Sequence, residues 1–101
     1  MLKTETIVAN YNISGRIARK IVSELNTINS FVYLEKDNRC INAKSILGLL
    51  SLDIQIGDVI KVIINNDNDE DDIDVSKVLK LFSWKEIYIW IIWLQEQHSV
   101  L

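Results

Sequence analysis

The chain has 101 residues, of which 49% are hydrophobic and 25% are charged, and its formal net charge at pH 7 is −3. This length and composition fit one globular domain with a single hydrophobic core and leave no room for a second domain. The net negative charge argues against direct nucleic-acid binding, which needs a concentrated basic surface, and favours protein partners.

The first half of the sequence predicts a strand, a helix and a hairpin. Residues 4–9 alternate loosely and include Thr, Ile and Val, which indicates a strand that ends in the turn before Gly15. From Ile17 onward, apolar residues recur at steps of three and four, as in an amphipathic helix with one buried face. Residues 31–36 and 39–42 are strand-like and flank Asp-Asn, a pair suited to the positive dihedral angles of a tight turn. We therefore expect these two strands to pair antiparallel.

The next segment predicts a capped helix followed by a strand. Ser45 stands just before a short apolar run and is a natural N-cap, because its hydroxyl can accept a hydrogen bond from a free backbone N–H. Gly57 and Asp58 then turn the chain into residues 59–64, which we predict to be a fourth, well-buried strand.

The last part of this region predicts an acidic loop and a third helix. Six carboxylates lie between residues 67 and 74, without the spaced glycine and terminal glutamate of a calcium loop. We interpret them as a solvated loop that leads into a helix, and we expect no metal site and no cofactor. Apolar residues at helical spacing define this helix: Val75, Val78, Leu79 and Phe82. The order β-α-β-β-α-β-α predicts an α+β fold with helices on one face of an antiparallel sheet.

Three blocks of the chain resemble HPr, the small phosphocarrier of the bacterial sugar phosphotransferase system. They are residues 41–52 around Ser45, residues 34–37 before the hairpin, and residues 12–20, where that family has its phosphohistidine loop. The resemblance covers residues 2–82 almost without gaps and implies an HPr-like open-faced β-sandwich with a four-stranded antiparallel sheet. We therefore expect an HPr-like domain at residues 1–82 and a C-terminal helical extension at residues 83–101.

The chain departs from the family at the phosphohistidine loop. Ile17 stands in place of the family's histidine, and Lys20 stands in place of the proline that follows it. An isoleucine side chain offers no nucleophile, so phosphate relay at this position is excluded and no enzymatic activity is expected. Arg16, Arg19 and Lys20 are candidate anion-binding residues at the start of the helix, although a merely solvated basic turn is the favoured interpretation. The loop keeps four residues of the family pattern: Asn12, Gly15, Ala18 and Arg19.

The resemblance gives the region around Ser45 a regulatory role. In the family, the matching serine is phosphorylated by HPr kinase/phosphorylase, and the combination of a kept serine and a lost histidine is similar to the catabolite-repression HPr branch. Ile46, Leu47 and Leu50 match the positions that dock the kinase and a catabolite-control transcription regulator. We assign Leu49 and the leucine at position 52 to the core. The alternative for Ser45 is a cap with only a structural role.

Residues 83–101 extend beyond the resemblance and contain all three tryptophans. The run Ile-Tyr-Ile-Trp-Ile-Ile-Trp-Leu at residues 87–94 is apolar on every side, and it is too short for a transmembrane segment, which needs about 20 residues. Burial in a homodimer is the favoured interpretation. A segment folded back over the open sheet face and a membrane-surface anchor are the alternatives.

Three functional hypotheses follow from these observations. The leading hypothesis is a non-catalytic regulatory HPr-like protein in carbon catabolite control, with Ser45 as its phosphorylation site. The second is a structural module of the HPr fold that oligomerises through residues 83–101. The third and weakest is phosphotransfer through His98, the only histidine. We expect a cytoplasmic protein, because the chain starts without a secretory leader and its single cysteine, Cys40, suits a reducing compartment.

Overall fold

A computed structural model of the chain describes residues 2–66 and 72–83. The predicted element order β-α-β-β-α-β-α is confirmed. The first strand was expected at residues 4–9 and lies at Leu2–Val8, and the first helix begins at Gly15 with Ser14 as its N-cap. The seven elements are β1 (Leu2–Val8), α1 (Gly15–Leu25), β2 (Phe31–Lys36), β3 (Arg39–Asn42), α2 (Ile46–Ser51), β4 (Val59–Asn65) and α3 (Asp72–Ser83).

The four strands form one antiparallel sheet in the order β1-β4-β2-β3. The first and last strands of the chain, β1 and β4, pair with each other, with Leu2 opposite Asn65 and Val8 opposite Val59. The hairpin between β2 and β3 turns through Asp37 and Asn38, whose φ angles of 52° and 65° are both positive, as predicted for this pair. The sheet order makes β1 and β3 the edge strands.

The two faces of the sheet differ in burial. One face packs against the helices, and every second residue of β2 and β4 points into this core. Ile17, Ile21 and Leu25 supply the buried side of α1, while Leu49 supplies that of α2. The structure thus confirms the predicted open-faced α+β sandwich. The side chains that point into the core from the central strands are Val32, Leu34, Ile60, Val62 and Ile64.

The opposite face, which we call the outer face, is open in the described part of the chain. The prediction that the fourth strand is well buried is therefore wrong for this side, since Val59 is 61% exposed. The reason is that the helices described here cover one face of the sheet only. Alternation and strand register place on the outer face Leu2, Thr4, Thr6 and Val8 of β1, Phe31, Tyr33 and Glu35 of β2, Cys40 and Asn42 of β3, and Val59, Lys61, Ile63 and Asn65 of β4.

The third helix packs beside the edge strand β1. Its last turn is attached to the segment after β1, because the Tyr11 hydroxyl donates a hydrogen bond to the carbonyl oxygen of Leu81. Burial raises the pKa of Tyr11, so its hydroxyl remains a donor far above neutral pH. The C-terminal end of α3 is thus fixed at the end of the sheet where β1 stops. Of the extension at residues 83–101, only Ser83 lies within the described residues.

Candidate functional site

Ser45 caps α2 as the sequence predicted. Its backbone is extended, with φ −105° and ψ 120°, and its Oγ accepts a hydrogen bond of 3.0 Å from the Gly48 N–H. The preceding turn is fixed by Asn42, whose carbonyl oxygen accepts from the Ser45 N–H at 3.0 Å and whose Oδ1 accepts from the Lys44 N–H at 2.9 Å. Ser45 is half-buried, so it belongs neither to the hydrophobic core nor to the fully exposed surface.

Gly48 allows the chain to pass closely over this hydroxyl. A Cβ atom at this position would lie 3.2 Å from the Asn42 carbonyl oxygen and 3.3 Å from both Cβ and Oγ of Ser45. Such distances are tighter than ordinary van der Waals contacts, so any larger residue would crowd the cap. Gly48 was not among the residues predicted to matter from the sequence. A glycine inside a short apolar helix is a signal of close approach that was available from the sequence.

Three apolar side chains of α2 are exposed directly after the cap. Ile46, Leu47 and Leu50 are 37%, 80% and 39% exposed, respectively. Leu49 and Leu52 are buried, which confirms their assignment to the core. We call Ile46, Leu47 and Leu50 the α2 apolar surface. This surface follows the Ser45 cap directly, and both its role in partner binding and the phosphorylation of Ser45 remain predictions.

The other end of α2 is held by basic side chains from the hairpin. The Lys36 ammonium donates to the carbonyl oxygens of Leu52 and Asp53 at 3.0 and 2.8 Å. The Arg39 guanidinium donates to the carbonyl oxygen of Ser51 at 2.8 Å. These bonds satisfy carbonyl groups that a helix C-terminus leaves without partners. Neither side chain was predicted from the sequence, because the contacts join residues 12 to 17 positions apart.

Asp58 binds the same Lys36 ammonium that holds the C-terminal end of α2. Its Oδ2 lies 2.8 Å from the Lys36 ammonium and accepts a hydrogen bond of 2.8 Å from the Gln55 N–H. The hydrogen bond from Lys36 and the bond from the Gln55 backbone lower the pKa of Asp58. Lys36 therefore connects β2, the end of α2 and the turn before β4 through one ammonium group.

The histidine position of the family holds a core residue in this chain. The Ile17 side chain is only 8% exposed and belongs to the hydrophobic core. Its N–H lies 3.5 Å from Ser14 Oγ, the N-cap of α1. An isoleucine at this place thus contributes packing and carries no atom that can accept a phosphoryl group.

The three candidate anion-binding residues lie on the first turns of α1. Their spacing of three and four residues places Arg16, Arg19 and Lys20 on one side of the helix. Arg16 and Arg19 are exposed, whereas Lys20 is half-buried and pairs with Glu24 at 3.3 Å. The Lys20 ammonium, one of the three cationic groups, is thus already paired with a carboxylate of the same helix. Anion binding by this group remains a prediction.

Other candidate sites fall partly outside the described residues. Within residues 2–66 and 72–83, no group of three or more His, Cys, Asp or Glu side chains is placed to hold a metal ion. The acidic run at residues 67–71 and His98 lie outside that part of the chain. No helix in the described ranges is long and apolar enough to cross a membrane.

Comparison with known proteins supports the sequence resemblance. The model of the family described as PTS HPr component phosphorylation site matches residues 2–82. The HPr-like protein Crh of Bacillus subtilis is 37% identical over 59 residues, which is 58% of this chain and 69% of that protein.

Two solved structures place the fold among the same proteins. Phosphocarrier protein HPr from Bacillus anthracis superposes with a TM-score of 0.71 and 23% identity, over 81% of this chain and 98% of that chain. The crystal structure of Bacillus subtilis Crh, described as a dimer with a swapped domain, has a TM-score of 0.60 and 32% identity. It covers 71% of this chain and 80% of that one.

Proposed function

Because the chain belongs to the PTS HPr family, we propose that it is a non-catalytic, regulatory member of that family that acts in carbon catabolite control of the sugar phosphotransferase system. In this proposal HPr kinase/phosphorylase phosphorylates Ser45, and the product binds a catabolite-control transcription regulator. The observation that carries the proposal is a half-buried Ser45 at the cap of α2, combined with a buried Ile17 at the histidine position. The chain keeps the group for the regulatory modification and has lost the group for phosphate relay.

Phosphorylation at Ser45 would change charge where the backbone can tolerate it. A phosphoserine carries about −1.5 to −2 charges at pH 7 and three strong acceptor oxygens. The first backbone N–H groups of α2 face this position, and the Gly48 N–H already donates to Ser45 Oγ. The added charge therefore meets hydrogen-bond donors instead of apolar packing.

The α2 apolar surface gives the phosphorylated protein a second recognition element. Burial of exposed hydrocarbon against a partner supplies non-directional affinity. The phosphate then supplies specificity through a charge-assisted hydrogen bond with an arginine or lysine of the partner. A regulator that needs both elements would distinguish the modified protein from the unmodified one.

The proposal is tested by incubating the full chain with ATP and an HPr kinase/phosphorylase and mapping phosphate by mass spectrometry. We expect a single phosphate on Ser45 and none in the Ser45→Ala variant, which loses about 1 kcal/mol of stability with its cap. Ser51→Ala is the matched control, because Ser51 is an exposed serine at the other end of α2 whose hydroxyl donates to the Gly48 carbonyl oxygen. Phosphate that persists in Ser45→Ala, or no phosphate at all, would refute the proposal.

The contribution of the α2 apolar surface is tested with Leu47→Lys. We expect the kinase's kcat/KM for this variant to fall roughly fivefold or more, since loss of a central apolar contact costs more than about 1 kcal/mol of binding. Ile56→Lys serves as the control, because Ile56 is 65% exposed but lies outside α2. Equal kcat/KM values for Leu47→Lys and the wild-type chain would show that the kinase does not dock on the α2 apolar surface.

A second candidate function is a structural module that assembles into a homo-oligomer through residues 83–101. Two observations favour it: the Crh of Bacillus subtilis has been solved as a dimer, which favours a homo-oligomer but not a particular contact, and residues 87–94 form an uninterrupted apolar run, which favours this segment as the contact. Assembly and regulation are compatible in one molecule. Assembly through residues 83–101 does not require the α2 apolar surface, which can then bind the kinase and the regulator.

A further inference from the structure

The outer face of the sheet carries large apolar side chains that the described helices do not cover. Leu2 and Phe31 are 65% and 55% exposed and both lie opposite Asn65 of β4. Val8 and Val59 pair at the other end of the face and are 53% and 61% exposed. A monomeric domain seldom leaves so many large apolar residues on one face without an occupant.

A shallow groove of about 450 Å³ lies on the same face. Its walls include Thr6, Val59, Lys61 and Glu35, and the hairpin turn closes one side. Lys61 and Glu35 are 3.9 Å apart and keep 48% and 31% of their side chains exposed. The groove thus offers an apolar wall, a cation and a carboxylate. This combination suits a tryptophan or tyrosine ring, which buries hydrocarbon, attracts a cation to its face and donates a hydrogen bond from its edge.

The chain itself supplies such rings in the segment that follows α3, with tyrosine at position 88 and tryptophan at positions 90 and 93. The end of α3 is fixed beside the segment after β1 by the bond from the Tyr11 hydroxyl to the Leu81 carbonyl oxygen. This is the end of the sheet that carries Val8 and Val59, and α3 packs beside the edge strand β1. From Ser83 to Ile87 the chain can span about 14 Å, which is enough to pass around one edge strand.

We propose that residues 87–94 of the same chain dock on the outer face and place an aromatic side chain in the groove between Val59 and Glu35. Eight residues extend for about 12 Å as a helix or about 26 Å as a strand, so either form fits the length of the face. A covalently attached segment acts at a high effective concentration, which favours its own face over that of another molecule.

Docking on one face covers only one side of an apolar segment. The outward side of residues 87–94 still contains large hydrocarbon groups, because the run includes no charged residue. This outward side forms the contact between two copies in the homo-oligomer of the second candidate function, and this part of the inference rests on that proposal. Docking itself does not depend on Ser45 or on its phosphorylation.

Cys40 provides a natural probe of the proposal. It is the only cysteine of the chain, it is exposed, and it lies on the outer face directly opposite Glu35. We attach a bimane group to Cys40 of the full chain, since tryptophan quenches bimane emission only at short range. The proposal predicts a loss of emission that is restored when Trp90 and Trp93 are both replaced by phenylalanine.

The matched control carries the bimane at a different surface. In a Cys40→Ser chain, the probe is attached to the thiol of Arg16→Cys, because Arg16 is exposed on α1. We expect no quenching there. Equal quenching at both positions, or none at Cys40, would overturn the proposal. Quenching at Arg16→Cys alone would show that the segment covers the helical side of the molecule.

Mixing separates docking within one chain from docking between chains. Bimane-labelled chain that lacks Trp90 and Trp93 is mixed with unlabelled chain that retains them, and we expect clearly weaker quenching than in the labelled full chain, because the partner's segment packs on the outward side of the docked one. Quenching in this mixture as strong as in the labelled full chain would mean that the face is occupied by a second copy, which contradicts docking within one chain. A further variant, Val59→Lys, should shift tryptophan emission to longer wavelength, whereas Leu47→Lys should not; the opposite result would also refute the proposal.

Discussion

Ile17 illustrates how much one residue decides in this molecule. The sequence shows directly that the relay nucleophile of the family is missing, and the structure adds that the replacement packs in the core. Ser45 was equally predictable, because an N-cap is a local feature: a hydroxyl just before an apolar helix. Lys36 was not predictable, since its ammonium contacts groups that the sequence places far away. Residue roles that depend on local spacing were recovered, and those that depend on tertiary contact were not.

The contact between Lys36 and Asp58 predicts a dependence of stability on acid. The Lys36 hydrogen bond lowers the pKa of Asp58 in the folded protein below the unfolded value of about 3.9. Its contribution to stability is therefore present above the unfolded pKa and is lost as the pH falls through the folded pKa. We expect Asp58→Asn to reduce the loss of stability below about pH 4, as measured by urea unfolding at a series of pH values.

Lys36→Met checks the cause of this effect. Because it removes the hydrogen bond that contributes most to the pKa shift, it should reduce the acid dependence in the same direction. An acid dependence that is unchanged in both variants would show that Asp58 does not contribute to it.

The elements were predicted more accurately at some positions than at others. The bounds of the β2–β3 hairpin follow from its turn residues, and the structure gives the same two ranges. The start of β1 is different: its first residues pair with the end of β4, and no local pattern signals a partner about 60 positions away. The partial exposure of β4 was missed for a related reason, because an apolar run does not reveal whether both faces of a sheet will be covered.

Gly48 provides a test of packing within one element. Glycine to alanine in a helix interior is ordinarily favourable by about 0.5–1 kcal/mol. We expect Gly48→Ala to give no such gain in the free energy of unfolding, because the new Cβ would crowd the Asn42 carbonyl oxygen and the Ser45 side chain.

Gly15→Ala is the matched variant for this measurement. Apart from its chain neighbours and the backbone of its own helix, nothing lies within 4 Å of a Cβ built on Gly15, the first residue of α1. Urea unfolding should show a gain of about 0.4–1 kcal/mol for this change. Similar gains for both variants would mean that the contact between Gly48 and the cap is not tight.

At the scale of the whole molecule, the family resemblance implied a four-stranded antiparallel sheet with helices on one face, whereas the strand order β1-β4-β2-β3 was not predicted and came from the structure. Hydrophobic patterns specify which side of each strand is buried, but many strand orders satisfy the same patterns. The candidate site was predictable to a similar extent: the resemblance located Ser45 and the α2 apolar surface, whereas the basic support at the far end of α2 required coordinates. The open face was implied by the resemblance, whereas the residues that line it emerged only from the pairing register.

Assembly through residues 83–101 predicts a change of mass on truncation. We expect light scattering to give a dimer for the full chain and a monomer for a chain that ends at Ser83, since the shortened chain lacks the apolar run. Circular dichroism of the shortened chain checks that the sheet is retained. A dimer that survives this truncation would assign the contact between copies to another surface.

The attachment of α2 to the hairpin bears on how a signal would travel from Ser45. The helix has only six residues, and its terminal carbonyls are bound by Lys36 and Arg39. Phosphorylation at the N-terminal end of α2 would therefore act on a helix whose C-terminal end is already held by hydrogen bonds. Rotation or unwinding of the helix would break those bonds. Phosphorylation would then change the surface charge around Ser45 without changing the backbone conformation. Any conformational change that follows would have to occur in the partner protein that binds this surface.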